Sequence, residues 1–272
     1  FVVVGDTQKL VDKDDATKNT TYTNYIYDWI VKNKSAKNIQ FVMGLGDITE
    51  NNTYDPTGAG SNEWIVAKNQ ILKLASAGIK YSLVPGNHDG PRTYGNFNTV
   101  FGTESSLTNN ISGYMEGTDL SNYYMCFKAG STDYMVVVLE YGPTDDVLTW
   151  AGNVIKAHPN HKVIITTHAY MDRDGTTLDI NDVVPPREET KDVAYNNGDQ
   201  MWTKLVSQYD NIIMALGGHD PYANISWRQD LGVNGNTVTQ MLVDFQGMDL
   251  TYEYKTGMVA VLYFSADGKS VK

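Results

Sequence analysis

Cysteine is almost absent. Cys126 is the only one in 272 residues, which excludes an internal disulfide and argues against cysteine chemistry; its neighbours Tyr124, Met125 and Phe127 mark it as a strand residue in the core. Positive charge is scarce too: the formal net charge is -11, and Arg92, Arg173, Arg187 and Arg228 are the only arginines. Such a field repels nucleic acid and anionic lipid, so no nucleic-acid partner is expected and a phosphate substrate has to be attracted locally. No apolar run approaches the roughly 20 residues of a membrane span. There is no internal repeat, no low-complexity linker and no Gly-x-Ser-x-Gly elbow for a serine hydrolase.

The residues present are enough for a sizeable core, with 41% of them apolar. One domain over 1–272 is expected. The chain opens on Phe1 rather than Met and enters a strand at once, so it reads as trimmed from a longer chain. An acidic composition rich in Asn, Thr and Tyr, with few arginines, points to an extracellular or cell-surface setting.

The informative stretch is Val84-Pro85-Gly86-Asn87-His88-Asp89. An apolar run, Tyr81 to Val84, ends in a Pro-Gly turn that presents an amide, an imidazole and a carboxylate. Asn87 can offer a carbonyl oxygen to a metal, His88 can exchange a proton near neutral pH, and Asp89 can orient His88. Alone this could be an ordinary loop, but four other apolar runs end alike. Phe1–Val4 leads into Gly5-Asp6-Thr7-Gln8, Phe41–Met43 into Gly44-Leu45-Gly46-Asp47, Val163–Thr167 into His168, and Ile212–Leu216 into Gly217-Gly218-His219-Asp220. In open α/β sheets ligands bind beyond the carboxyl ends of strands, so these residues are expected to share one crevice.

In that order the blocks resemble the calcineurin-like metallophosphoesterases, whose pattern is Asp-x-His, Gly-Asp, Gly-Asn-His-Asp/Glu, a lone His and Gly-His-x-His. The resemblance implies an α/β four-layer sandwich, two mixed β-sheets flanked by helices. It also implies two divalent metal ions, Mn, Fe or Zn, that activate water against a phosphomonoester or phosphodiester. Carried over position by position, Asp47 would bridge both ions, Asp6 and Gln8 would bind the first, and Asn87, His168 and His219 the second. His88 would stand beside the phosphate with Asp89 holding it. Two blocks depart from the pattern: Gln8 stands where the family has His, and Pro221 where it has its last His. Asp220 is the candidate substitute ligand, and the first site is expected to be the weaker. The alternative is a binding or surface module that keeps the fold and one metal. Arg92 and Arg173, each a few residues beyond a motif block, are expected at the rim as phosphate-binding groups.

Periodicity fills in the rest. A helix carries Tyr22, Ile26, Trp29 and Ile30, a second runs from Trp64 to Ala75 and is closed by Gly78, and with their strands they form a parallel βαβ arrangement. Gly90 to Leu120 reads as a surface excursion, Tyr123 to Leu139 as a hairpin, and Asp145 or Asp146 as the cap of a helix through Ile155. A second polar excursion, Ala169 to Asn197, precedes a helix from Met201 to Tyr209. The last quarter, with strands at Ala223–Trp227, Thr237–Phe245 and Met258–Phe264, reads as a second sheet packed on the first.

Overall fold

Two short apolar runs, β1 (Val2–Val4) and β2 (Phe41–Gly44), and a third strand, β3 (Lys80–Leu83), in which Tyr81, Ser82 and Leu83 are buried, open the chain's first sheet. Strands apolar at successive positions have both faces covered, as a parallel sheet requires, and β1, β2 and β3 pair in parallel. The crossovers are α1 (Thr21–Asn33) and α2 (Glu63–Ser76). Asn62 caps α2 by accepting from the Ile65 amide, and Glu63 sits in its first turn, favourably placed against the helix dipole. On α1 the core takes Ile26, Tyr27 and Ile30, while Trp29 lies at the edge of that face, 36% exposed.

This computed structural model describes residues 1–12, 21–57, 62–90, 93–187, 191, 194–220, 224–246, 257–268 and 270–272. Arg92 and Pro221 lie outside the described residues.

The span after residue 93 is more structured than its composition predicts. It holds α3 (Gly95–Phe101), α4 (Ser105–Thr108) and β4 (Gly113–Tyr114), and it buries Tyr94, Phe97, Val100, Phe101 and Leu107. The hairpin follows as β5 (Tyr123–Ala129) and β6 (Thr132–Val138), with Cys126 half-buried rather than in the core. Then come α5 (Asp145–Ala157), β7 (Lys162–Thr166), and a short helix α6 (Gly198–Met201) that widens into a π turn over Trp202–Val206. Thr144, not an aspartate, occupies the N-cap position of α5, and Asp145 and Asp146 fill its first turn. The chain closes with β8 (Ile212–Gly217), β9 (Asn224–Leu231), β10 (Thr237–Asp244) and β11 (Ala260–Val261).

Two mixed sheets result, ordered β11-β1-β2-β3 and β4-β5-β6-β7-β8-β10-β9. The last strand departs from expectation: β11 returns to the first sheet, antiparallel to β1, and does not extend the second. Alternation along β6 divides the core. Tyr134, Val136 and Val138 join the cluster shared with the first sheet, whereas Met135, Val137 and Leu139 face α5 and the π turn. Helices, sheet, sheet and helices therefore form four layers. The parallel strands β1, β2, β3, β7, β8 and β10 bring their carboxyl ends to a common edge, where Asp6, Asp47, Asn87, His168, His219 and Asp244 follow or end them.

Candidate metal centre

The histidines are fixed before any ligand arrives. His168 is fully buried, and its Nδ1 lies 2.8 Å from the Leu45 carbonyl oxygen. His219 places Nε2 2.9 Å from the Val184 carbonyl oxygen. Each ring donates its N–H outward to a backbone carbonyl, which turns the lone pair of the other nitrogen inward. Those nitrogens, His168 Nε2 and His219 Nδ1, are 3.2 Å apart, and Asn87 Oδ1 lies 2.9 Å from the first and 3.1 Å from the second. Asp47 Oδ1 is 3.3 Å from His168 Nε2. Ligand bonds of about 2.1 Å would set neighbouring donors about 3.0 Å apart in an octahedron and about 3.4 Å in a tetrahedron. The three mutually close donors match that spacing, and Asp47 stands beside one of them.

Backbone strain gathers at the same place. Asp47, Val184 and His219 all have positive φ, at 46°, 57° and 78°, a region costly for any residue with a Cβ and most of all for a β-branched valine. Close approach demands glycine at Gly218, where a Cβ would fall 2.1 Å from Asp6 Oδ1. The Asp6 carboxylate accepts the His219 amide at 3.1 and 3.2 Å, which ties the end of β1 to the end of β8. Asp6, Asp47 and His168 offer ligand atoms that all lie within 4.8 Å of one another. Gln8 joins them, donating from Nε2 to Asp47 Oδ2 at 2.9 Å.

Electrostatics reports a deficit of positive charge. Burial opposes a charged His168, but the carboxylates of Asp47 and Asp6 override it and push its pKa up to about 10. Burial and then the charge of Asp244 hold the Asp6 carboxyl well above the usual range. Asp47 goes the other way: burial would raise its pKa, yet His168, His88 and His219 hold it below the ordinary value. A proton on His168 stands where a cation would do the same electrostatic task.

His88 is positioned otherwise than its neighbour in sequence implies. Its Nδ1 lies 2.9 Å from the Glu50 carbonyl oxygen and 3.7 Å from Glu50 Oε2, and the ring is 37% exposed. Asp89 is fully buried and accepts from the amides of Gly86, Ile48 and Thr49 and from Thr49 Oγ1, at 2.9 to 3.1 Å. The contact expected of Asp89 thus falls to Glu50. Asp89 instead clamps the loop after β2 to the loop after β3, holding Asp47 and Asn87 in register. Burial opposes protonation of His88, but Asp47 and Glu50 raise its pKa above the ordinary value.

Asp220 is also redirected. It is 3% exposed, and its Oδ2 accepts from the Arg173 amide at 3.1 Å and from Arg173 Nε at 2.8 Å. In this arrangement the Asp220 carboxylate, the candidate substitute ligand, is engaged by Arg173, whose side chain is 36% exposed.

Two residues that sequence reasoning did not single out stand at this edge. Glu50 holds His88. Asp244 ends β10, has no exposed surface, and meets the Asp6 carboxyl, with burial pushing its own pKa up to about 7. Its signal was available: β10 is one more apolar run that ends in a carboxylate.

Imidazoles, an amide oxygen and carboxylates gathered at the strand ends of a two-sheet sandwich define a metal-binding α/β protein. A family model described as calcineurin-like phosphoesterase matches residues 1–223, and the chain belongs to that family. It is 25% identical over 228 residues to the uncharacterized protein YvnB of Bacillus subtilis (strain 168), a match over 81% of this chain and 16% of the relative, so it spans about a sixth of that relative's length. Among solved structures it resembles a dimetal phosphatase from Danio rerio (TM-score 0.53, 14% identity, covering 88% of this chain and 86% of that one). It also resembles the purple acid phosphatase PPD1 of yellow lupin (0.51, 13%, covering 90% and 43%). A third likeness is to GAP50, the anchor in the inner membrane complex of Plasmodium (0.52, 14%, covering 95% and 74%). At these identities the likeness is one of fold. No helix among the described residues is long and apolar enough to cross a membrane.

Proposed function

We propose that this chain is a metal-dependent phosphoesterase that uses two divalent cations to hydrolyse a phosphomonoester or phosphodiester. One observation carries the reading: the lone pairs of His168 Nε2, His219 Nδ1 and Asn87 Oδ1 face one point, 2.9 to 3.2 Å apart, with both outer imidazole nitrogens already donating to carbonyls. The donors would hold a cation of the Mn, Fe or Zn kind. Bound there, a divalent pair supplies Lewis-acid charge for the phosphoryl group and an activated water.

The chain's own groups supply the rest. With Nδ1 of His88 donating to the Glu50 carbonyl, Nε2 is the nitrogen that can face a substrate. The Asp47 and Glu50 charges favour the protonated ring, so His88 can stabilise the phosphate and give a proton to the leaving oxygen. Arg173, steadied by Asp220, is placed to meet a phosphate oxygen at the rim.

A second reading is a binding module that keeps the fold and one cation. Gln8 favours it, since its amide donates to Asp47 where the family has an imidazole; so does the fold likeness to an anchor protein. Aryl mono- and diester substrates with added Mn separate the two. The enzyme reading expects turnover that rises with Mn and falls about 10²- to 10⁴-fold in His88→Ala with metal content unchanged. Bound metal without turnover of either ester would favour the module.

A further inference from the structure

The lone pairs around Asp6 point to a ligand that no family motif supplies. Gln8 is 2% exposed and Asp244 not at all, yet Gln8 Oε1 and Asp244 Oδ2 have no hydrogen-bond partner among the described residues. Buried oxygens are rarely left so, because each forfeits a water interaction for nothing in return. In both cases the other polar atom of the group is engaged: Gln8 Nε2 donates to Asp47 Oδ2 at 2.9 Å, and Asp244 Oδ1 accepts the Gln246 amide at 2.7 Å. The Asp244 carboxyl has a second carboxyl, that of Asp6, for a neighbour, and two carboxylates facing each other need a cation or a proton between them.

The backbone is arranged for that meeting. A Cβ on Gly5 would fall 2.4 Å from the Val243 carbonyl oxygen and 3.3 Å from Asp244 Cα, so the end of β1 runs directly against the end of β10. Because β10 is parallel to β8, Asp244 leaves the sheet at the edge where His219 does.

Resting on the dinuclear reading above, we propose that Asp244 is a ligand of the first cation, standing in for the histidine the motif lacks. With Asp6, Gln8 Oε1 and Asp47 it makes an all-oxygen site, selective for a hard cation such as Mn or Mg over Zn. The second site keeps its two imidazole nitrogens and suits Zn, Fe or Mn. The two halves of one centre thereby select unlike metals.

Metal-free protein is titrated calorimetrically with Mn and with Zn, as wild type and as Asp244→Asn, which keeps the acceptor for the Gln246 amide but removes the charge. The wild type is expected to bind two equivalents of Mn, and Asp244→Asn to weaken one of them by tenfold or more while leaving the other intact. The variant's metal-free form should melt no lower than wild type, since a buried carboxylate beside Asp6 is gone; a merely structural Asp244 would lower it. A spectrum of the wild type decides the matter even if the variant fails to fold. Filled with one equivalent of Zn and then one of Mn, it should give a Mn electron spin echo free of imidazole ¹⁴N modulation. Strong ¹⁴N modulation on that Mn, or two unchanged Mn equivalents in Asp244→Asn, would overturn the role of Asp244 while leaving the dinuclear reading standing. Wild type that binds neither ion would overturn both.

Discussion

The two halves of the proposed centre are built by different means. On one side His168 and His219 each give an N–H to a backbone carbonyl, at 2.8 and 2.9 Å, and their inner nitrogens stand in place beside Asn87. On the other, Asp6, Gln8 and Asp244 bring oxygens together, two of them without a hydrogen-bond partner among the described residues. The half held by carbonyls is organised as it stands; the proposed cation would complete the half made of facing carboxylates. The contrast directs attention to the groups behind the candidate ligands as well as to the ligands themselves.

The contrast is broken most severely at the imidazoles. His168→Ala removes a ligand nitrogen and the partner that Asp47 and Asn87 share. Loss should exceed the 10- to 100-fold typical of changes behind a ligand, emptying the nitrogen-rich half in elemental analysis while a weaker Mn equivalent survives. If His168→Ala retained its most tightly bound ion, the rigid half would not be the strong one.

Asp89→Ala comes next. It strips the acceptor from three amides and a hydroxyl that are buried with it, and leaving buried donors unmet costs about 1–3 kcal/mol each. Chemical denaturation should show a loss of several kcal/mol, with metal affinity falling in both halves because Asp47 and Asn87 shift together. A variant as stable as wild type would mean that the two loops hold their register without the clamp.

Acidity sharpens the comparison without mutation. In the metal-free protein Asp89 and Asp244 are raised from 3.8 to about 6 and about 7, and His168 from 6.5 to about 10. In each case the folded chain holds protons that the unfolded chain has released, over pH 4–7 for the carboxyls and 6.5–10 for the imidazole. Stability should therefore fall as pH rises through these windows. Asp47, held below its ordinary value, acts oppositely but only in acid. The melting temperature of metal-free protein should drop on the order of 5–10 °C between pH 5 and 8, and Mn should restore more at pH 8 than at pH 5, because the Asp244 carboxyl, raised to about 7, has by then released its proton. A flat profile without metal would mean that the acidic half carries no unmet charge.

The smallest effect belongs to the rim. Arg173→Ala should raise KM by about three- to tenfold with little change in kcat, as for uniform phosphate binding; a loss confined to kcat would place Arg173 at the reacting atoms instead.

Much of this architecture was legible because its strands are apolar runs that stop abruptly at polar residues, which gave β1, β2, β3, β7 and β8 together with their terminal side chains. Two side chains point elsewhere than their place in the chain suggests, for one reason. Asp89 and Asp220 each adjoin a motif histidine, but successive side chains leave the backbone in different directions, and these two carboxylates accept from backbone amides and from Arg173. Glu50 could not be found from spacing, since it holds His88 through a carbonyl. Asp244 is hard to read from the sequence because Val243 precedes it, whereas glycine precedes Asp6, Asp47, Asn87 and His219. The elements α3 and α4 are too short for their apolar residues to display a period, so Phe97, Phe101 and Leu107 read as loop until packing revealed them. The return of β11 to β1 is a tertiary choice that two strand residues do not announce.

Anomalous diffraction from crystals equilibrated with equal Zn and Mn tests the central claim most directly, because it locates and identifies each ion. The account expects Zn within bonding distance of Asn87, His168 and His219, and Mn beside Asp6 and Asp244, with Asp47 between them. Crystals with no ion at the point faced by His168 Nε2 and His219 Nδ1 would contradict it.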